Sequence, residues 1–354
     1  MNKIKMLSLL AAAVMMTGSV AMAETYSATG NGYHGEMTVD VTIENGTITD
    51  VALGDNHETN VVIDRAFPVI RERILEANTA DVDSVSAATF SSYAIKTAVA
   101  DAMKQAGLEA PTVSMQNAEK PATERAAEEC DIVIVGGGPA GLAAAISAKQ
   151  TNADKNVIIV EKLDILSGNG KFDMNFFDMI NTEAQKAAGN DEWVGEAGLA
   201  KFIEEKSANG ESAERIQVWA NEEYGIDAWL RAMGVELNYN YGGTNHMAED
   251  NQYSGEVIQA GLEKAAAELG VDVRTGTKGM DLVMEDGVCK GVVVTNNANE
   301  TYTINAKSTI IATGGFCSNK ELLAEYAPGY EVFNTSNQMG TTGDFVKVFE
   351  QNGF

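Results

Sequence analysis

A chain of 354 residues that is 45% hydrophobic has material for about two domains and a substantial core. Its 51 Asp and Glu against 25 Lys and Arg leave a net charge of -26, which argues against nucleic acid and anionic lipid surfaces as partners and reads as an acidic, solvated exterior. Three widely spaced cysteines, Cys130, Cys289 and Cys317, match no disulfide framework, zinc pattern or haem-attachment motif.

Residues 1–23 read as an export signal. Lys3 and Lys5 supply a basic start, Met6 to Met16 an apolar run, and Ala21-Met22-Ala23 a small-residue cleavage site. The run is short for a membrane span. The mature protein is therefore expected in the periplasm or outside the cell, with an uncleaved membrane anchor as the alternative.

Residues 24–108 form the next segment. Met37, Val39, Val41 and Ile43 alternate with polar residues up to Asn45-Gly46, a favoured hairpin turn, and Thr47 to Leu53 supplies the returning strand. His57-Glu58-Thr59 follows, then an apolar stretch, Val61 to Leu75, interrupted by Pro68, and a polar turn from Asn78 to Asp83. A helix is expected from about Ser91 to Gln105, with Ile95, Val99 and Met103 on one face, and Gly107 ends it. Residues 109–128, rich in Ala, Glu and Thr and carrying Pro111 and Pro121, read as a linker.

Residues 129–354 open with the strongest motif. Ile132 to Val135 is a run suited to a central parallel strand, and Gly136, Gly138 and Gly141 follow in G-x-G-x-x-G register. The three glycines would give a tight bend, room for a pyrophosphate, and close packing of helix on strand. Pro139 suits a helix start, and the helix through Leu142, Ala145 and Ile146 would aim its first amides at phosphate. A second strand, Val157 to Val160, ends in Glu161, twenty residues after Gly141, where an acid can bind ribose hydroxyls. Ser167-Gly168-Asn169-Gly170 comes next. Short strands are expected at Val271–Val273, Met280–Met284, Gly291–Thr295 and Tyr302–Ile304, then a buried strand, Thr309–Ala312, running into Thr313-Gly314-Gly315. That second glycine turn favours a two-dinucleotide-fold flavoprotein over a nicotinamide domain.

Two stretches carry a resemblance to known families. Asp83-Ser84-Val85-Ser86-Ala87-Ala88-Thr89, with Gly30-x-Gly32-Tyr33-His34-Gly35 and His57-Glu58-Thr59 upstream, resembles the flavinylation signature of exported FMN-binding domains. The resemblance implies that a separate flavin transferase esterifies Thr89 to the phosphate of FMN. Ala87 departs from it, standing where glycine is usual. The plain alternative is that Thr89 or Ser91 caps a helix. His34 and His57 are expected to make structural or flavin-lining hydrogen bonds, since no metal-ligand spacing accompanies them or His246.

The second segment resembles the FAD domain of soluble fumarate and urocanate reductases. The implied architecture is α/β: a small α+β FMN-binding domain followed by a two-dinucleotide-binding, Rossmann-like FAD domain. By position the resemblance assigns FAD contacts to Gly136, Gly138, Ala140, Gly141, Glu161, Asn169, Gly170, Thr313, Gly314 and Asp344. It departs from the family at Ser167, where a glycine is usual, and near Asn175-Phe176, where a second glycine pair is usual. The resemblance also implies an electron donor in the membrane or outside the cytoplasm, and a small unsaturated carboxylate as substrate. In such enzymes electrons pass from FMN to FAD, and an arginine of a capping segment donates a proton. The last arginine here is Arg274 and the sequence ends at Phe354, so that capping segment and the closing part of the FAD fold are expected to lie outside these residues. No catalytic residue is assigned. An FMN electron-transfer protein without substrate reduction, or a flavin dehydrogenase running oxidatively, stays open at this level.

Overall fold

The alternation in Met37–Ile43 does what a period of two requires: Met37, Val39, Val41 and Ile43 are buried and their neighbours are not. Strands β1 (Glu24–Asn31), β2 (Glu36–Glu44) and β3 (Thr47–Leu53) form an antiparallel sheet, with Asn45 and Gly46 both at positive φ in the hairpin turn. Helices α1 (Asn60–Ala77) and α2 (Thr89–Gln105) pack with this sheet around one core. The computed structural model describes residues 23–166, 168–170, 176–208, 210, 212–248 and 253–354. Residues 1–22 of the stretch read as an export signal, and the departures at Ser167 and Asn175, lie outside the described residues.

Two expectations are corrected in this unit. Pro68 does not interrupt the apolar stretch, because a single helix runs from Asn60 to Ala77 with Pro68 inside it. An interior proline costs roughly 3 kcal/mol. Ile63, Ile70 and Ile74, all buried on one face, offset it at about 1.5–3 kcal/mol each. The second helix starts two residues early, so that Thr89 is its first residue.

The second unit is built on a mixed sheet in the order β10-β6-β5-β13-β12-β11, with β4 beside β13. Its strands are β4 (Thr123–Glu124), β5 (Glu128–Val135), β6 (Val157–Val160), β10 (Asp272–Arg274), β11 (Thr277–Glu285), β12 (Val288–Asn296) and β13 (Glu300–Ile311). β10, β6, β5 and β13 run parallel, and β13, β12 and β11 are antiparallel. Side chains of the central strands divide by parity. Ile134, Val157 and Ile159 face the core under helix α3 (Pro139–Thr151), whereas Val133, Val135, Ile158 and Val160 face the one closed by β11 and β12.

The strands expected at Tyr302–Ile304 and Thr309–Ala312 are one. β13 is continuous because residues 301–305 pair with β12 while 304–311 pair with β5, so both halves have ladder partners. Between β6 and β10 the chain forms a lobe with a small antiparallel sheet, β7 (Phe177–Asp178), β8 (Tyr239–Gly242) and β9 (Asn245–Met247). Its helices are α4 (Glu183–Ala187), α5 (Gly195–Ser207), α6 (Ala213–Glu223) and α7 (Ile226–Ala232). Helix α8 (Ser254–Glu268) then packs on α3, and α9 (Lys320–Tyr326) and α10 (Asp344–Gln351) follow β13.

The stretch read as a linker is an ordered strap. Ser84 N donates to Asn117 Oδ1 at 2.7 Å, and the buried Lys96 donates to the Ser114 carbonyl at 2.7 Å. β4 pairs with β13 further along. Thus the strap is tied to the first unit at one end and to the second at the other.

Candidate functional site

At the C-terminal end of β5 the chain bends at Gly136, whose φ of 114° suits glycine. A Cβ there would also lie 2.3 Å from the carbonyl oxygen of Ala312, where β13 ends. Gly141 is a packing residue: a Cβ would come within 1.9 Å of the Gly136 carbonyl oxygen. Gly138 is different. Among the described residues, a Cβ there would touch only Gly168 Cα, at 3.5 Å. Pro139 begins α3, and no side chain caps that helix. Its first amides are therefore available to an anion.

These elements line one cleft with a cavity volume of about 230 Å³. Of the residues expected from the sequence, Gly136, Gly138, Ala140, Glu161, Asn169, Thr313, Gly314 and Asp344 line it. Gly141 lies beneath the turn, and Gly170 is close in sequence to the lining but outside it. Glu161 is buried, with its carboxylate accepting from Gly137 N at 2.7 Å and Leu163 N at 2.9 Å. Asn169 Oδ1 accepts from Gln338 N at 2.9 Å and so holds the far wall. Burial raises the Asp344 pKa, but hydrogen bonds from Lys162, at 2.7 Å, and Lys278, at 3.0 Å, outweigh it and hold the carboxyl below its ordinary range.

The second site is at the start of α2. Thr89 is exposed there, and neither it nor Ser91 caps the helix. The Ser91 hydroxyl instead donates to the buried Glu58, which also accepts from His34 N at 2.9 Å. Gly32 must be small, since a Cβ would lie 2.6 Å from Glu58 Oε1. Glu58 thereby draws the turn after β1 onto the helix start. It leaves the Tyr33 ring 6.0 Å from Phe90 and 4.8 Å from His34. His34 Nε2 lies 3.3 Å from the Thr59 hydroxyl, and His57 is exposed. Ala87, in the preceding turn, has a φ of 68°.

A glycine-lined anion cradle, an acid one strand away, and a second glycine turn opposite fit a dinucleotide in the cleft. Comparison with known proteins agrees. Residues 131–354 match the family model described as FAD binding domain, and residues 32–104 match the FMN-binding domain. The chain belongs to the FAD-binding domain family. It is 31% identical over 328 residues to the NADH:fumarate oxidoreductase of Klebsiella pneumoniae, covering 90% of this chain and 34% of that protein. It is 32% identical over 347 residues to the urocanate reductase of Eggerthella lenta, covering 94% of this chain and 56% of that one. Among solved structures, the open conformation of a flavocytochrome c3 fumarate reductase matches at a TM-score of 0.58 and 31% identity, over 64% of this chain and 41% of that chain. The chain thus spans about a third to just over half the length of these relatives.

The FAD-binding domain contributes lining residues that sequence reading missed. Lys162 directly follows the acid, and its adjacency was an available signal. Lys278, Gln338 and Thr341 arrive from β11 and from the loop before α10, with no local pattern to mark them. Gly168, at φ 70°, lets its loop touch the first: a Cβ would lie 2.8 Å from Gly138 Cα. His246 is buried, with Nε2 2.7 Å from the Thr182 hydroxyl and Nδ1 2.8 Å from the Thr244 carbonyl. Burial lowers its pKa, and its bonds are those of a structural residue.

Proposed function

We propose that the protein is an exported flavin-dependent reductase. Electrons enter at FMN carried on the Thr89 hydroxyl, pass to FAD in the glycine-lined cleft, and reduce the C=C bond of a small unsaturated carboxylate such as fumarate or urocanate. One observation carries this reading: an FMN-binding domain and an FAD-binding domain occur in contact within a single chain. Two flavin modules side by side suit a relay. The names of the relatives, a fumarate oxidoreductase and a urocanate reductase, support the substrate class. The signal-like residues 1–23 support export, which in turn calls for a donor in the membrane or outside the cytoplasm and a flavin transferase for maturation.

Bound flavins supply the electron and hydride chemistry that side chains lack. The chain's own groups hold and orient them. Gly136 and Gly138 leave the backbone bare for a pyrophosphate, the first amides of α3 face it, and Glu161 is placed for ribose hydroxyls. Asn169, Thr313, Gly314 and Asp344 complete the wall, and Lys162 and Lys278 offset the negative charge brought by phosphate. Thr89 offers an exposed hydroxyl at a helix start, where a phosphodiester meets unpaired amides.

Intact-mass measurement of the exported protein and of Thr89→Ala, each co-expressed with a flavin transferase, tests the attachment. The parent should be heavier by one FMN and the variant should not. For the reaction, the native protein with both flavins should oxidise reduced viologen anaerobically when fumarate or urocanate is present. Flavin reduction with no turnover on either acid would favour a plain electron-transfer protein.

A further inference from the structure

We propose that Asp164 is a positioning residue that latches the FMN-binding domain to the FAD-binding domain in one orientation. It would thereby fix the distance between the two flavin sites. The inference rests on the two-flavin reading for its purpose, but its geometry stands without any flavin. Asp164 lies three residues after Glu161, in the loop that leaves β6 beside the cleft. It is 7% exposed, and two of the groups that satisfy it belong to the other domain. Arg73 of α1 donates to Oδ1 at 2.9 Å and Ser86 N donates to Oδ2 at 2.7 Å, while Asn297, from the turn before β13, completes its partners.

Arg73 extends the contact. Its other amino group donates to the carbonyls of Asp83, at 3.0 Å, and Ser84, at 3.2 Å. Every residue it binds thus lies in the segment leading to Thr89 or in Asp164 itself. The next residue, Ile165, is buried within the core of the FMN-binding domain although it belongs to the FAD-side loop. Arg65, also on α1, donates to the Leu166 carbonyl at 3.2 Å and pairs with Glu263 of α8.

A covalent and hydrogen-bonded route therefore runs from Gly137, through Glu161 and the loop to Asp164, across to Ser86, and on to Thr89. A buried carboxylate bonded mainly across an interface is costly to leave unpaired. The apposed surfaces accordingly have one favoured register.

The experiment uses the full chain and hydrogen–deuterium exchange. Asp164→Ala and Arg73→Gln, removing the two halves of the latch in turn, should each speed exchange in residues 83–89 and 110–122 by roughly tenfold or more. Exchange in Ile132–Val135, the centre of the FAD-binding domain, should speed up by clearly less than in residues 83–89. Asp164→Asn, which can still accept from Ser86 N, should fall between. Small-angle scattering should show a larger radius of gyration for Asp164→Ala. Unchanged exchange in 83–89 would overturn the proposal. So would a matching loss of protection in Ile132–Val135, which would assign Asp164 to the fold of its own domain. Intact mass on the same samples reports flavin at Thr89 separately, so failure of the attachment reading is distinguishable from failure of the latch. With both flavins bound, Asp164→Ala should also slow electron passage between them, whereas a residue that only stabilises the fold would leave that rate unchanged in the folded fraction.

Discussion

Ala87 holds a left-handed backbone at φ 68°, a conformation that costs an L-residue roughly 1–2 kcal/mol and glycine little. The sequence comparison had already singled out this position, as the one place where the FMN signature lacks its usual glycine. Ala87→Gly should raise stability by about 1 kcal/mol, the relief of strain being partly offset by the greater freedom of glycine when unfolded. Chemical denaturation checks this, and a loss of stability would show that the turn is not strained. Glycine logic was equally legible at Gly136, Gly138 and Gly141, because each needs a missing Cβ for a different local reason. It gave no warning of Gly168, whose constraint comes from Gly138 across a loop contact. Gly138→Val makes the contrast testable. Its side chain would enter the cleft rather than the packed turn, so FAD binding, read by retained absorbance after gel filtration, should be lost while the fold remains.

Elements with a strict apolar period were readable, since burial of one face is a local property of sequence. Pro68 and the 300–311 segment were misread for the same physical reason: partners distant in sequence overrode a local signal. Helix α6 carries another property invisible to periodicity. Glu223, near its end, is buried and its pKa is raised to about 7, chiefly by burial, with Asp178 adding to the rise and Lys206 and a hydrogen bond from Trp219 opposing it. The folded state thus favours the protonated acid, whereas the unfolded chain titrates near 4.5. The stability this confers is full below about 4.5 and is lost as pH rises to and through about 7, a swing on the order of 3 kcal/mol. Glu223→Gln cannot ionise and should remove that slope. Thermal midpoints of parent and variant across pH 4 to 8 should diverge on the alkaline side, with the variant the more stable. Parallel curves would mean that Glu223 ionises freely in the folded lobe.

At the scale of the whole molecule, the order of two domains was legible because each opens on its own motif, but their mutual arrangement was not. Asp164 and Arg73 look like ordinary surface charges in sequence, and the strap looked like a linker because its partners lie far off in sequence, 18 residues for Lys96 and Ser114 and 33 for Ser84 and Asn117. The arrangement has a thermodynamic consequence. Ile165 shares the core of the first unit, and Asp164 with Arg73 joins the two across a buried contact, so unfolding one side strips partners from the other. The two units should therefore melt as a single cooperative transition. A ligand that binds only the folded FAD-binding domain then stabilises both, by ~2.7 kcal/mol at a hundredfold excess over its Kd. In scanning calorimetry, added FAD should move one endotherm upward as a whole, and Gly138→Val should leave the endotherm in place but unresponsive. Two endotherms, only one of them moved by FAD, would show instead that the contact is too weak to couple the halves, and the relay would then have to work across a hinged gap.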